Sequence, residues 1–594
     1  MISLLFILSI LPILTVVISI LLFKQPIAKA LITGIIITFL LNIYVWKADE
    51  TIVNNLFDVQ FNLINHGIDK SHYGRVLFFA FFDSLETVLI ISSAILLFKI
   101  VIDNGSIRQY VKILEKLSSD IVYLTIFFCF FLGNLFESIS SYGVAQALIA
   151  PIIYALGLPV TTSVGITLIA TIPIYYMNSF NNPSLVGFNV LKLMGYSSQE
   201  YFAIIKSSIL NALIYSALPN LILIFIICYF VIKALKKGKE KIYLIYLYKY
   251  TPFLITAWLV YEFAFFFTYF LIVNDAKGLM LLPFIASILA ILYFIVMIKI
   301  KLFRPIITLK ELKTFETHNK IINYIEENLF AKRIDSKKKI LLPLILYSLL
   351  AFLLIISSDI KIKEFFSSFE ISFVFTIKRF LTNNYITTYY EEKHNFFEYP
   401  GLFMLAFVIT INTILKRFEM NSVNLLDAKL FKRILEIFLV IFLAHVFAYS
   451  MYISSFNSYD IPGMFIIITD ELSLIFSDHY ELISHYLGLL FGYITGSVTV
   501  SNLLLTSANV DIANTLDIDM TKLLGLQLIG SALGIGICII HITVCLNSVI
   551  HHKYEYNEHL NNKKSHDYLI NIWKLCVPIV VLYSICVLIT YLVL

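Results

Sequence analysis

The sequence predicts an all-α polytopic membrane protein. About 14–16 transmembrane or re-entrant segments form two inverted-topology repeats with broken helices. Three observations carry this. Hydrophobic residues make up 59% of the 594, charged residues 14%, and mean hydropathy is +0.87. A soluble domain carries roughly 25% charged residues. The apolar residues fall into runs of bilayer length, and two polar breaks interrupt those runs at matched places. The composition excludes a soluble enzyme, a secreted disulfide scaffold and a disordered tail. A net charge of +5 is too small for the chain's size to suggest nucleic acid.

A helix needs about 20 apolar residues to cross ~30 Å of hydrocarbon. Such runs lie near 2–23, 28–46, 76–102, 121–136, 144–157, 158–177, 207–233 and 250–273. Others lie near 279–300, 340–357, 398–416, 433–453, 480–496, 498–510, 523–549 and 573–594. The first has no basic residues before it and reads as a retained span. Segments 144–157 and 498–510 are too short to cross unaided and read as half-helices or re-entrant pieces. All six cysteines lie in apolar runs without a CxxC pair, so neither a metal site nor a disulfide framework is expected.

Basic loops set orientation. Lys236–Lys241, Arg304–Lys339, Lys416–Arg433 and Lys553–Lys574 are Lys/Arg-rich and should be cytoplasmic. The stretch 454–479 has no Lys or Arg and should be an outside loop. Alternation then requires three segments between 103–120 and 178–206, and again between 454–479 and 551–574, each with a short middle piece. The domains follow as a first repeat over 1–233, a two-helix linker with basic loops over 234–339, and a second repeat over 340–594. Seven segments per repeat and an even linker invert the second repeat. Inverted repeats with broken helices are typical of secondary transporters, with the site at the repeat interface.

The first break reads Gly133-Asn-Leu-Phe-Glu137-Ser138-Ile-Ser140-Ser141-Tyr142-Gly143. The second reads Gly492-Tyr-Ile-Thr495-Gly496-Ser497-Val498-Thr499-Val-Ser501-Asn502. Backbone that leaves the helix at membrane depth must line protein or water. Helix N-termini and hydroxyls there offer donors to a carboxylate.

These two stretches resemble the L-lactate permease family of proton-coupled lactate and glycolate carriers. Its E-G-A-A-G-F-G-A-P is matched here by Glu137, Tyr142 as the aromatic, and Gly143. Its T-G-S-D-T-S-S-N is matched by Thr495, Gly496, Ser497, Thr499, Ser501 and Asn502, with Val498 in place of the Asp. Lesser echoes are Ala94–Lys99 followed by Gly105, and Tyr399-Pro400-Gly401. The resemblance covers roughly 25–187 and 398–545; a later family stretch, K-M-I-S-P-Q, is Ile535–Ile540 here. It implies proton symport of a small monocarboxylate, L-lactate or also D-lactate or glycolate, across the cytoplasmic (inner) membrane. It implies no cofactor and no metal. The expected substrate-binding residues are Ser138, Ser140, Ser141, Tyr142, Gly143, Thr495, Gly496, Ser497, Thr499, Ser501 and Asn502. Loss of the Asp at Val498 predicts weak discrimination between lactate and propionate.

Ionisable residues inside spans cost energy and so mark candidate coupling sites. They are Glu137 at the first break, Asp83 and Glu86 three apart on one helix, Glu262 among aromatics near the middle of 250–273, and His445 and His541 in the second repeat. Tyr175-Tyr-Met-Asn178-Ser-Phe-Asn181-Asn182-Pro183 is expected to be an interfacial aromatic belt and loop. The mixed-charge stretch 360–380 is expected to lie on the membrane surface. The chain has no GxxxxGK[ST] loop, so no ATPase of its own is expected. Two rival readings remain. One is an organic-anion carrier or sodium/proton antiporter with paired re-entrant hairpins. The other is a membrane-embedded transferase, for which no metal-ligand spacing is present.

Overall fold

The structure is a computed structural model. It describes residues 4–47 (22 and 24 apart), 118–140, 144–177, 196–235, 240–308, 371–381, 384–394, 400–417, 428–454, 457, 461–554 and 562–594, with scattered positions in 77–100 and 184–191. Asp83, Glu86, Ser141, Tyr142, Gly143, the 340–357 span and most of the basic loops lie outside the described residues, as does the Ser140 side chain.

The helices are α1 (Leu4–Leu21) and α2 (Ile27–Leu41), the latter ending in a π-turn over Asn42–Trp46. A rod follows, made of α3 (Ile121–Ile126), a π segment Phe127–Leu132 and α4 (Gly133–Ser140). Then come α5 (Val144–Ala155), α6 (Val160–Ala170) with a 3₁₀ turn Ile172–Met177, α7 (Ser198–Leu235), α8 (Glu240–Ile272) and α9 (Ala276–Lys299). The second half holds α10 (Pro400–Arg417), α11 (Ala428–Ile453), α12 (Met464–Phe476), α13 (Tyr480–Thr495), α14 (Val498–Leu516), α15 (Met520–Ile537), α16 (Ile539–Tyr554) and α17 (Asn562–Val593). Eight helical stretches among the described residues are long and apolar enough to cross a membrane.

Their outer faces are those of helices in lipid. On α1 the exposed residues are Leu4, Ile7, Leu11, Leu14 and Ile18, one stripe at three- and four-residue spacing. On α8 the stripe is Ile255, Leu259, Phe263, Phe267 and Phe270. The most buried stretches are Val160–Met177, 94% buried, and Ile121–Ser138 and Met520–Ile537, each 83% buried.

Several boundaries depart from the hydropathy reading. At 38 residues α7 is about 57 Å long, well beyond the bilayer, so the run 207–233 is only its apolar part. The middle piece α5 is short, 12 residues or about 18 Å, whereas α14 reaches 19 residues by continuing through Asn509 and Asp511. The single run expected over 523–549 is two helices. They part at Cys538, whose backbone is extended (φ −62°, ψ 132°), just after Gly534 and Gly536 weaken the helix. The outside loop expected over 454–479 contains α12. Its residues Met464, Phe465, Ile467 and Ile468 are buried, and the helix packs on α1 and α13. Its apolar first half outweighs its acidic second half. Of the mixed-charge stretch 360–380, residues 360–370 lie outside the described residues; from 371 the chain forms an antiparallel hairpin, β1 (Ile371–Leu381) with β2 (Asn384–His394), pairing Ile371 with His394 through Leu381 with Asn384. Alternating β-branched and aromatic residues favour strands there.

Packing between halves is reciprocal. Helix α7, last of the first half, packs on α15, and α17, last of the second, packs on α6. Helix α2 packs on α11, where Asn42 Nδ2 donates to the Ser450 carbonyl at 2.7 Å. Correspondingly, Ser93 Oγ donates to the Gly401 carbonyl of α10 at 3.2 Å.

The closest helix pair is α13 with α15. Gly488 and Gly492 on one face Gly530 and Gly534 on the other, two small-xxx-small pairs that let backbones touch. A Cβ on Gly492 would lie 2.2 Å from the Ser531 carbonyl oxygen, and one on Gly530 2.0 Å from that of His485. Gly492→Ala should therefore force the helices apart, at about 1–3 kcal/mol for overpacking. A lowered Tm in detergent is the expected result. An unchanged Tm would show that the seam is not tight.

Candidate functional site

The site begins with the helix breaks. Helix α13 stops at Thr495 because Gly496 takes the left-handed conformation (φ +64°), and α14 starts at Val498. Thr495 Oγ1 accepts from Ser497 N at 3.2 Å and lies 2.8 Å from the Phe491 carbonyl, which pins the corner. Val498 is buried. In the first half α4 ends at Ser140 and α5 starts at Val144. Two further breaks were not anticipated. Helix α6 ends at Thr171, where Pro173 cannot supply an N–H for another helical turn, and the chain tightens into the 3₁₀ turn. The other is at Cys538.

Side chains from these breaks meet. Gln146, on the first turn of α5, holds its Nε2 2.8 Å from Thr171 Oγ1, 2.7 Å from Tyr175 Oη and 3.1 Å from Glu137 Oε2. Thr171 Oγ1 and Tyr175 Oη are 3.1 Å apart. Gln146 Oε1 is buried and has no hydrogen-bond partner among the described residues. Glu137 is fully buried and is the only Asp, Glu, Lys, Arg or His in residues 121–177. The Tyr175 ring meets the His541 ring edge-on, with centroids 6.1 Å apart. His541 Nε2 lies 3.0 Å from the Gly496 carbonyl oxygen. A carbonyl only accepts, so Nε2 carries the proton of the neutral ring and Nδ1 keeps a lone pair. That Nδ1 is buried and has no hydrogen-bond partner among the described residues. Cys545 Sγ donates to the Gln146 carbonyl at 3.6 Å, tying α16 to α5.

Thus Glu137, Gln146, Thr171 and Tyr175 of the first half face Gly496 and His541 of the second. The belt expectation for Tyr175 and Tyr176 is corrected: both are about 1% exposed. Their hydroxyls find partners inside, Tyr175 at Gln146 and Tyr176 at Ser216 (3.0 Å), so nothing draws them to the interface.

Other expected residues stand apart from this cluster. Ser501 Oγ is 2.8 Å from Ser531 Oγ, and Asn502 Oδ1 accepts from Gln527 Nε2 at 2.9 Å. Asn509 Nδ2 donates to Gln527 Oε1, and Tyr480 Oη to Asn509 Oδ1. This ladder stitches α13, α14 and α15 together. Ser138 Oγ donates to the Leu135 carbonyl of its own helix. Thr499 and Ser497 are half-buried at the start of α14. His445 lies on α11, its Nδ1 3.1 Å from Ser84 Oγ. His485, which sequence reasoning passed over, is held between the Leu526 carbonyl (3.1 Å) and Ser584 Oγ (2.8 Å). Both its nitrogens are satisfied, as befits a structural histidine.

Apolar outer stripes, and eight helical stretches among the described residues long and apolar enough to cross a membrane, define a multi-pass membrane protein. The chain belongs to the L-lactate permease family, whose model matches residues 5–557. Neither the curated proteins nor the solved structures include a match.

Proposed function

We propose that the chain imports a small monocarboxylate, lactate first among them, together with a proton, through two inverted repeats that meet at this cluster. The observation that carries the reading is the junction of Glu137, Gln146 and Tyr175 with His541 and Gly496. It joins one acid, one neutral imidazole and helix breaks from both halves at a buried place. Reciprocal packing of α7 on α15 and α17 on α6 supports the inverted arrangement. Family membership supports lactate as substrate.

In this reading the substrate carboxylate meets the corner of α13 and α14, where Ser497 and Thr499 supply hydroxyls. Glu137 carries the proton, and Gln146 and Tyr175 connect it to the His541 side of the site. The membrane is the cytoplasmic one, and the basic loops face the cytoplasm. The test is uptake of labelled L-lactate into proteoliposomes under an imposed proton gradient, with glycolate, pyruvate and succinate as competitors. Accumulation driven by the gradient, without sodium and insensitive to succinate, is expected. Sodium-dependent uptake, or competition by succinate alone, would move the chain to the dicarboxylate or antiporter reading.

A further inference from the structure

The described structure holds a cavity of about 470 Å³ far from the cluster, where the end of α9 meets the start of α3. Its lining combines Lys299, Lys301 and Arg304 with Ser118, Phe253 and Phe303. No acid lines it. The volume falls within the range of sites that enclose small organic ligands, about 300–1,000 Å³.

The wall is built, not incidental. Lys301 takes the left-handed conformation (φ +55°), uncommon for a residue with a side chain, and this reverses the chain after α9. The returning segment is then pinned to Asp120. One carboxylate oxygen accepts from Ile306 N (2.6 Å), Ile307 N (3.0 Å) and Tyr250 Oη (2.8 Å). The other accepts from Val122 N at 2.8 Å and caps α3. Burial raises the Asp120 carboxyl above the ordinary range, and these bonds oppose the shift. Ile121 N donates to the Ile307 carbonyl, and Tyr123 Oη to that of Arg304. The Asp120 carboxylate is therefore occupied by the wall itself, and the three cations stand on a fixed frame. Ser118 Oγ accepts from Asp120 N, which leaves its own proton to donate.

The cavity also opens beside apolar surface. Leu292, Val296, Ile300 and Leu302 are each more than half exposed around the end of α9. Cations at the rim of a lipid-facing helix, next to a cleft walled by aromatics, fit a phosphate group with acyl chains attached.

We infer that this cavity binds the headgroup of an anionic phospholipid, with Lys299, Lys301 and Arg304 on the phosphate and the acyl chains along α9. The inference does not depend on what the permease carries. Basic pockets between spans on the cytoplasmic side are suited to such headgroups.

The test is native mass spectrometry of the full-length protein. The protein is delipidated in detergent, then titrated with phosphatidylglycerol or with phosphatidylcholine. Wild type should retain phosphatidylglycerol preferentially. Each cation near the surface is worth about fivefold in affinity, so the triple variant Lys299→Gln/Lys301→Asn/Arg304→Gln should bind roughly 100-fold more weakly. Asn keeps the left-handed turn at 301. Lys299→Gln alone should lose about fivefold, and it keeps the test decisive if the triple variant does not fold. Equal retention of both lipids, or unchanged binding by Lys299→Gln, would overturn the proposal. Glycerol 3-phosphate and inorganic phosphate serve as soluble competitors. If either binds as tightly as the lipid, the acyl chains contribute nothing and the lipid assignment falls.

Discussion

Replacing Glu137 by Gln is expected to abolish proton-driven accumulation of lactate and to leave lactate exchange across the membrane in place. Glu137 is the one ionisable acid or base among Asp, Glu, Lys, Arg and His in residues 121–177, and its Oε2 accepts from the neutral amide of Gln146. Two amide hydrogens there face three acceptors, while Gln146 Oε1 has no partner among the described residues. Turning that amide over exchanges its nitrogen and oxygen. The oxygen, with two lone pairs, would then accept from Tyr175 and from a protonated Glu137. The two orientations thus suit the two protonation states of the acid. Gln at 137 keeps the shape and removes the titration. A pH difference of one unit is worth about 1.4 kcal/mol, hence about a tenfold concentration ratio across the membrane. Wild type should approach that ratio in proteoliposomes, and the mutant should stay near unity. Exchange at equal concentrations needs binding and reorientation but no net proton, so it should persist. Uphill accumulation by the mutant would remove Glu137 from coupling and direct attention to Asp83, Glu86 or His445.

How much of this was legible differs from residue to residue. The spans were, because a lipid-facing helix must be apolar along its length, and α1, α2 and α9 follow their runs closely, while α8 starts ten residues before its run. The Gly496 corner was legible because glycine flanked by hydroxyl residues inside an apolar run has few other uses. Glu137 was legible as a charge that lipid would not tolerate. Gln146 and Thr171 were not, since neutral polar residues also serve ordinary helix packing. The break after Thr171 did carry a signal, Pro173, whose missing N–H ends a helix. So did the α13–α15 seam, since glycines four apart at 488 and 492 and again at 530 and 534 mark close helix contact. Tyr175 was misread because its amphipathic ring suits an interface as well as a buried polar cluster. Only the position of Gln146, contributed by another helix, decides between them. Cys538 had no local signal beyond two nearby glycines.

The largest effect on selectivity is expected at His541. Val498 stands where the family carries an Asp, and Val498 alone would leave the substrate hydroxyl unread. The structure offers another acceptor. His541 donates through Nε2 to the Gly496 carbonyl, so its neutral Nδ1 presents a lone pair, buried and with no hydrogen-bond partner among the described residues. That nitrogen belongs to the residue bonded to the corner just before Val498. A substrate hydroxyl can donate to it, whereas propionate has none to give. A site built around such a bond rejects the analogue lacking it. The expectation of weak discrimination therefore reverses: wild type should prefer lactate over propionate. His541→Phe keeps the ring that meets Tyr175 and removes both nitrogens. A buried hydrogen bond left unmade costs about 1–3 kcal/mol, so lactate affinity should fall roughly 5- to 150-fold while propionate changes little. Val498→Asp in that background restores a charged acceptor and should recover part of the preference. Competition curves for the two acids in wild type and both variants measure this. A lactate preference that survives His541→Phe unchanged would place the hydroxyl's partner elsewhere in the site.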